Sequence, residues 1–383
     1  MPKRRSVGQG VGRKANKRPR RHLYVVLDDG EGYAIRKFDL SSDHRDSSDD
    51  DDDQLLEQRT TVVQRLPPPL IGLDSTTGEY FTAIGTKIMV THNSWPGLAV
   101  PVFDVRTRRL DLGPPPRASS SRTLRCPAYL PLGDKLVSLD AGSAEMLGPP
   151  PPRCSIGYSE EWSWRKLPRP PFRCMAVRSY AAHPDGRTVF FSTDIDKNSM
   201  FSSSVPATFA LDVTGSGEPW RRLGEWRLPF SRRAHFDPEL DAWVGLAGGN
   251  KDNLGYLCST DVPQPSSSTD DQPAPPPDWK LSKEKMFCHD PAEEHAGATL
   301  AYMGSRSRFC LVHCFSVADE EYADMDVEAE EDRPRRHLLR LTSFSLKYDK
   351  HGNLQVSTQR RVRCYNLPNV IQPVGYDLRA FWM

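Results

Sequence analysis

The sequence predicts an all-β chain folded as a β-propeller of about six blades, with a disordered basic N-terminal tail and acidic or Pro-rich loop insertions. Three observations lead there. Short β-like apolar runs separated by turns recur at intervals of roughly 45–80 residues, the sign of a repeat architecture. Those runs end in a recurring way, with an apolar-Asp-apolar triplet and then a Leu-Pro stop. Finally, 34 of 383 residues are proline, about 9% against an average near 5%, which works against a helical bundle because proline removes a donor and breaks helix interiors.

Taken in order, the chain opens on residues 1–22, which carry nine Lys/Arg and no acid. Lys3, Arg4 and Arg5 are followed by a Gly/Val/Gln spacer and then by Arg13, Lys14, Lys17, Arg18, Arg20 and Arg21. Two basic clusters held about ten flexible residues apart suit the acidic grooves of a nuclear-import receptor. Contact with nucleic acid and a merely solvated tail are the competing readings. The run Gly8-Gln9-Gly10-Val11-Gly12 is not a phosphate loop, since no strand precedes it and its third glycine comes one residue too early.

The units that follow span approximately 23–69, 81–116, 126–172, 177–230, 233–287 and 297–368. In the first, residues 23–28 open directly onto 33–40, so an innermost strand is missing; residues 374–382 are the candidate that closes the ring, against the alternative of a frayed terminus. The internal register is visible twice. Residues 83–89 match 131–137 at an offset of 48, with a Gly-Thr or Gly-Asp turn between apolar runs, as a two-residue hairpin needs. Residues 183–187 match 237–241 at an offset of 54, with proline presetting φ at the turn.

Each second half-unit recurs as well. Phe38-Asp39-Leu40, Phe103-Asp104-Val105 and Leu211-Asp212-Val213 end strands, because aspartate offers its side chain to the following turn. A last strand then stops at Leu66-Pro67, Leu112-Gly113-Pro114, Leu167-Pro168, Leu228-Pro229 or Leu367-Pro368, where proline withholds a ladder donor. Trp162, Trp164, Trp220, Trp226 and Trp279 fall at those strands and read as packing between blades rather than as a ligand cage.

Charge is segregated although it nearly cancels, 51 basic against 50 acidic residues. No global field therefore points to a polyanion or a membrane, and no apolar run approaches the ~18 residues of a membrane span. Residues 41–53 hold seven aspartates and residues 319–332 hold nine acids and no base; such blocks read as solvated loops, and neither has calcium-loop spacing. Ser47 and Ser48 each precede an acid by three positions, a context that acidophilic kinases favour, although phosphate there only adds charge to charge. Residues 262–278 are a Pro/Ser-rich excursion. No apolar segment follows the basic start, so export is not expected, and eight scattered cysteines show no disulfide framework and fit a reducing compartment.

Four strings also carry a resemblance: residues 21–29 (RHLYVVLDD), 162–168 (WSWRKLP), 233–246 (RAHFDPELDAWVGL) and 308–312 (RFCLV). They resemble a large plant family found mainly in grasses, the domain-of-unknown-function family numbered sixteen sixty-eight, over residues 21–365. The resemblance implies a kelch-like propeller in a plant protein, with no activity to carry over. The paired glycines of kelch blades occur once, at Gly248-Gly249.

Catalytic chemistry is not signalled. There is no Gly-x-Ser-x-Gly elbow, no RNA-binding, zinc-finger or basic-helix signature, and no tyrosine spacing that singles out the ligands of a propeller-oxidase copper. Cys288, His289, Cys310, His313 and Cys314 form the densest Cys/His cluster, yet strand alternation places Cys310 and Cys314 on one face and His313 on the other, which disfavours a shared zinc. His183 and His235 read as turn or packing residues. The expected function is thus a non-enzymatic, nuclear or nucleocytoplasmic interaction propeller without cofactor or metal, holding other proteins through loops on one face. An import receptor would take its tail, no membrane is involved, and nucleic acid is disfavoured. Two alternatives stay open: an enzyme or small-molecule-binding propeller using the central channel, where the inner strands 82–85, 128–132, 179–183, 233–236 and 298–303 converge, and a chromatin-associated factor using the tail.

Overall fold

Strands in this chain are apolar on both faces, and the fold follows from where those faces go. The structure, a computed structural model, describes residues 20–28, 32–40, 62–74, 79–92, 99–116, 128–140, 142–150, 162–195, 205–215, 219–265, 274–287, 290–318, 335–368 and 378–383. Among the described residues there is no α-helix. The first sheet joins β1 (Leu23–Asp28), β2 (Gly32–Phe38), β4 (Pro69–Asp74) and β26 (Arg379–Trp382) in the order β26-β1-β2-β4. The second is β5 (Glu79–Ile84), β6 (Lys87–His92), β7 (Val100–Asp104) and β8 (Arg109–Gly113), and the third β9 (Ala128–Leu132), β10 (Lys135–Asp140), β11 (Ser143–Leu147) and β12 (Trp164–Leu167).

An eight-stranded sheet follows. Its first antiparallel meander is β13 (Val177–Ala182), β14 (Thr188–Ile195), β15 (Val205–Asp212) and β16 (Trp220–Gly224). The second is β17 (Arg232–Asp237), β18 (Ala242–Leu246), β19 (Leu257–Thr260) and β20 (Trp279–Leu281). The two meanders join where β13 and β17 run parallel, with Tyr180 beside Arg233. The last sheet is β21 (Glu294–Gly304), β22 (Arg308–Ala318), β23 (Arg335–Tyr348) and β25 (Arg361–Leu367), with β3 (Val63–Arg65) at its edge and β24 (Leu354–Val356) pairing β23.

Burial alternates along each strand and assigns its two faces to different neighbours. On β1, Leu23, Val25 and Leu27 pack with Cys310, Val312, Leu339 and Leu341 of the last sheet, while Tyr24 and Val26 pack with Phe81, Ile88 and Phe103 of the second. The same division repeats around the molecule. Leu136 and Trp164 join the second sheet to the third; Leu130, Val137 and Phe191 join the third to β13–β16. Phe190 and Trp243 join the two halves of the eight-stranded sheet, and Val244 with Phe309 and Leu311 joins β17–β20 to the last sheet. The apolar clusters thus close a ring of twisted antiparallel sheets, the β-propeller architecture.

The turn chemistry read in the sequence is built as expected. Asp104 Oδ1 accepts from the backbone N–H of Arg106 and Thr107 at 2.9 and 3.2 Å, and Asp212 Oδ1 from Thr214 at 2.8 Å. Gly85 and Gly133 take φ of +58° and +60° in their hairpins, a region glycine enters without steric cost. Trp164, Trp220 and Trp279 each begin an outer strand. The first two indoles donate across to a neighbouring unit, Trp164 to Pro114 O at 3.0 Å and Trp220 to Pro168 O at 2.8 Å. Cys310 and Cys314 share the face toward the first sheet, and His313 stacks on Phe287 on the other; Cys288 and His289 lie outside the described residues.

One expectation is corrected. The run ending at Leu66-Pro67 is not the outer strand of the first sheet. It is β3, which leaves to pair in parallel with β25, Val63 beside Cys364, and the outer strand is β4, after the prolines. Prolines at 67, 68 and 69 interrupt any ladder that would continue from one segment into the other.

At the C-terminus, β26 pairs antiparallel with β1 from Leu23–Trp382 to Val26–Arg379, and His22 and Met383 exchange backbone hydrogen bonds of 2.7 and 3.1 Å. Removing residues 379–383 strips β1 of this neighbour, and the melting temperature measured by differential scanning fluorimetry is expected to fall by several degrees. Trp243, fully buried, edge-on to Phe190 at 5.0 Å and donating to Ala182 O at 2.9 Å, is the largest side chain at its interface; Trp243→Ala is expected to cost about 3–5 kcal/mol in denaturant unfolding.

Candidate functional site

A cavity of about 370 Å3 lies on the axis, lined from β5, β9, β13, β17, β21 and β26. These are the innermost strands of their sheets, so the convergence expected from the sequence is observed. The cavity sits at the ends where β17, β21 and β26 begin, since Ser231, Arg232, Arg233, His295 and Arg379 line it.

Its chemistry is cationic and hydroxylic over an apolar wall. Arg233 is half-buried, and its Nε is fully shielded without a hydrogen-bond partner in the protein. Burial lowers the pKa of Arg233, Tyr180 opposes that shift, and the like charge of Arg379 adds to it. Thr82, Tyr129 and Tyr180, all buried, are hydroxyl-bearing residues of the lining. Among the described residues no Asp or Glu lines the cavity. Glu293, just before β21, is instead paired with Arg340 through both carboxylate oxygens, and that guanidinium lies 4.2 Å from the centroid of Phe315.

The imidazoles here are structural. His235 Nε2 lies 2.9 Å from Leu300 O, to which it donates, and burial with Arg233 beside it pushes its pKa down to about 3. His295 Nδ1 and His313 Nε2 are 3.1 Å apart, stacked with Phe287 at 4.7 and 4.1 Å between ring centroids. Burial, then the charges of His295 and Arg340, pushes His313 down to about 3 as well. Among the described residues no three His, Cys, Asp or Glu side chains gather as a metal-ligand set.

A second feature lies at the rim between the second and third sheets. β8 is the edge strand of its sheet, and Leu110 and Leu112 on its one face are 52% and 72% exposed. Leu112, Pro114, Pro115, Trp162 and Trp164 line a groove there. Gly113 is required beneath it, because a Cβ would meet Val102 Cγ2 at 2.7 Å and the Trp162 ring at 3.2 Å. Trp162 is fixed by its Nε1 donating to Gly148 O at 2.8 Å.

Of the import-signal residues, Arg20 and Arg21 are exposed where β1 begins; Lys3, Arg4, Arg5, Arg13, Lys14, Lys17 and Arg18, with Ser47 and Ser48, lie outside the described residues. His183 does serve a turn, its Nδ1 accepting from the Asp185 N–H at 3.2 Å. Sequence reasoning missed Arg233 and Arg379. The available signal was an arginine doublet opening an inner strand.

Fold and site define a β-propeller with an axial cavity of cationic lining. Its family follows from the match of residues 20–365 to the model described as "Protein of unknown function (DUF1668)": the chain belongs to that family. No curated protein matches it. Among solved structures it is similar to TolB from Acinetobacter baumannii (12% identity, 94% of this chain and 66% of that one, TM-score 0.38). It is similar also to the Pseudomonas aeruginosa periplasmic gluconolactonase PpgL (11% identity, 94% and 98%, TM-score 0.40) and to the tricorn protease (10% identity, 96% and 36%, TM-score 0.37). The chain spans less than two thirds of the TolB and tricorn chains, and no functional conclusion rests on these likenesses. Among the described residues no helix is long and apolar enough to cross a membrane.

The buried imidazoles set an acid limit. The unfolded chain takes up protons near pH 6.5, while folded His235 and His313 refuse them until about 3. Stability present above 6.5 is therefore lost as pH falls toward 3, by roughly 1.4 kcal/mol per pH unit for each buried ring. His313→Phe keeps the stack with Phe287 and removes one titration, so its melting temperature should fall less steeply between about pH 7 and 4. Parallel curves for the two chains would contradict this.

Proposed function

We propose that this chain is a non-enzymatic, kelch-like propeller of six blades that holds other proteins and acts in the nucleus or between nucleus and cytoplasm. Six blades are supported by the pairing, in which the eight-stranded sheet consists of two meanders joined at β13 and β17, beside four further sheets. Kelch-like build is supported by Gly248-Gly249: a Cβ on Gly248 would meet Ser231 N at 2.9 Å, and Gly249 takes φ +95°.

The observation that carries protein binding is the rim at β8. An edge strand offers unpaired backbone groups to an incoming segment, and Leu110, Leu112 and the Trp162 groove offer apolar contacts beside it. An extended partner segment adding to β8 gains backbone hydrogen bonds from the edge and specificity from the groove. Arg20 and Arg21 place the root of the basic tail on the surface, where a receptor can reach it.

Proximity labelling in plant cells tests both parts, comparing the intact chain with Leu110→Lys/Leu112→Lys and with a chain lacking residues 1–21. The expected result is a reproducible nuclear protein set for the intact chain. The double variant should stay nuclear but lose part of that set, since exposed positions of this kind change stability by only about 0.5 kcal/mol; the truncated chain should lose nuclear labelling. The same diffuse set from all three chains would remove the reading. A second reading, a small-molecule site on the axis, is favoured by Arg233.

A further inference from the structure

At the axis of the ring a half-buried guanidinium, Arg233, lies in the cavity lining with its Nε shielded and without a hydrogen-bond partner. Arg233 lines the cavity near the start of β17, next to a residue of unusual backbone conformation. Arg232 has φ +60°, a left-handed conformation that costs an arginine energy and persists only where the surroundings impose it. Successive residues of a regular strand point to opposite faces, yet Ser231, Arg232 and Arg233 all line the cavity. The parallel pairing Ser179–Arg232 and Tyr180–Arg233 pins this segment against β13.

The Nε of Arg233 is shielded from solvent and has no partner in the protein. Its near charged neighbour is another guanidinium, Arg379 of β26, and among the described residues no carboxylate lines the cavity. Partial desolvation of a charge is unfavourable, and the like charge of Arg379 beside it adds to that. An anion entering the cavity relieves both. Guanidinium groups present a planar fork that matches carboxylate and phosphate oxygens, and Tyr180 and Thr82, which carry hydroxyls, belong to the same lining. Phe81, Phe287 and Leu300 add apolar wall.

We propose that the axial cavity binds a small organic oxyanion, a carboxylate or phosphate carried on an apolar body, with Arg233 gripping the charged end. At about 370 Å3 the cavity has the size of a small-molecule pocket and is too small for a folded partner or a polymer. This site is separate from the β8 rim, so it stands or falls independently of protein binding there.

Titration calorimetry and thermal-shift measurements on the full chain test it, using benzoate, phenyl phosphate and inorganic phosphate as probes and benzylammonium as the cationic control. At least one organic anion should raise the melting temperature saturably, more than inorganic phosphate does, while benzylammonium has no effect. Benzoate against phenyl phosphate distinguishes a carboxylate site from a phosphate site. Arg233→Gln should weaken binding at least about tenfold, yet leave the ligand-free chain no less stable, because it removes a partly desolvated charge whose Nε has no protein partner. A merely structural arginine would give the opposite pair of results. Should Arg233→Gln fail to fold, Arg379→Gln serves as the second variant, and weaker anion binding is expected from it too. No saturable response to any anion, an equal response to benzylammonium, or unchanged binding in the folded variant would overturn the proposal.

Discussion

Each sheet of this propeller is apolar on both faces and depends on its two neighbours to keep those faces dry. β1 shows the constraint in six residues: Leu23, Val25 and Leu27 serve one interface and Tyr24 and Val26 the next. A sheet of this kind has no solvent side, so an open row of such sheets would leave apolar surface at each end. Closing the row into a ring removes both ends at once. The closure falls on β26 against β1, where a strand from the C-terminus completes the sheet that begins at the N-terminus. Everything else in the fold, from the tryptophans bridging neighbouring units to the aspartates that stop strands, serves to bring one sheet face against the next.

Closing a ring also creates an axis, and there the packing logic changes. Inner strands converge from all sides, and residues that face the axis meet one another rather than a neighbouring sheet. At most of these positions the chain places hydroxyls or apolar groups. At β17 it places Arg232 and Arg233, beside the parallel contact with β13. The left-handed residue at Arg232 and the shielded Nε of Arg233 occur together, so backbone strain and an unpaired charge are concentrated at one point of an otherwise regular structure. The rim presents the converse physics: an edge strand with exposed leucines is suited to a broad macromolecular contact, whereas the axis is suited to a small charged ligand.

The strand pattern was legible in the sequence because it rests on local rules. Asp104 and Asp212 end strands through hydrogen bonds two or three residues away, and Gly85 and Gly133 turn hairpins through their own φ. The separation of Cys310 and Cys314 from His313 required only alternation. The segment before Pro67 was misassigned because its apolar pattern specifies a strand but not the sheet that receives it. Its partner, β25, lies some three hundred residues away along the chain, beyond the reach of any local signal. Arg233 was read as part of a family-specific string, and Arg379 as part of a closing strand.

Alternating apolar residues, proline stops and aspartate turns are properties of short segments, and they alone determined that this chain forms repeated antiparallel sheets with few alternatives. What those segments leave undetermined is which groups meet at long range. Arg233 and Arg379 have no local relation, and on a solvated strand each would be an ordinary surface charge. Only ring closure brings β17 and β26 to one axis and takes the Arg233 Nε out of water, with no carboxylate among the described residues of the cavity lining. Desolvation and the distance between charges decide what an arginine can bind, and both quantities come into existence with the tertiary fold.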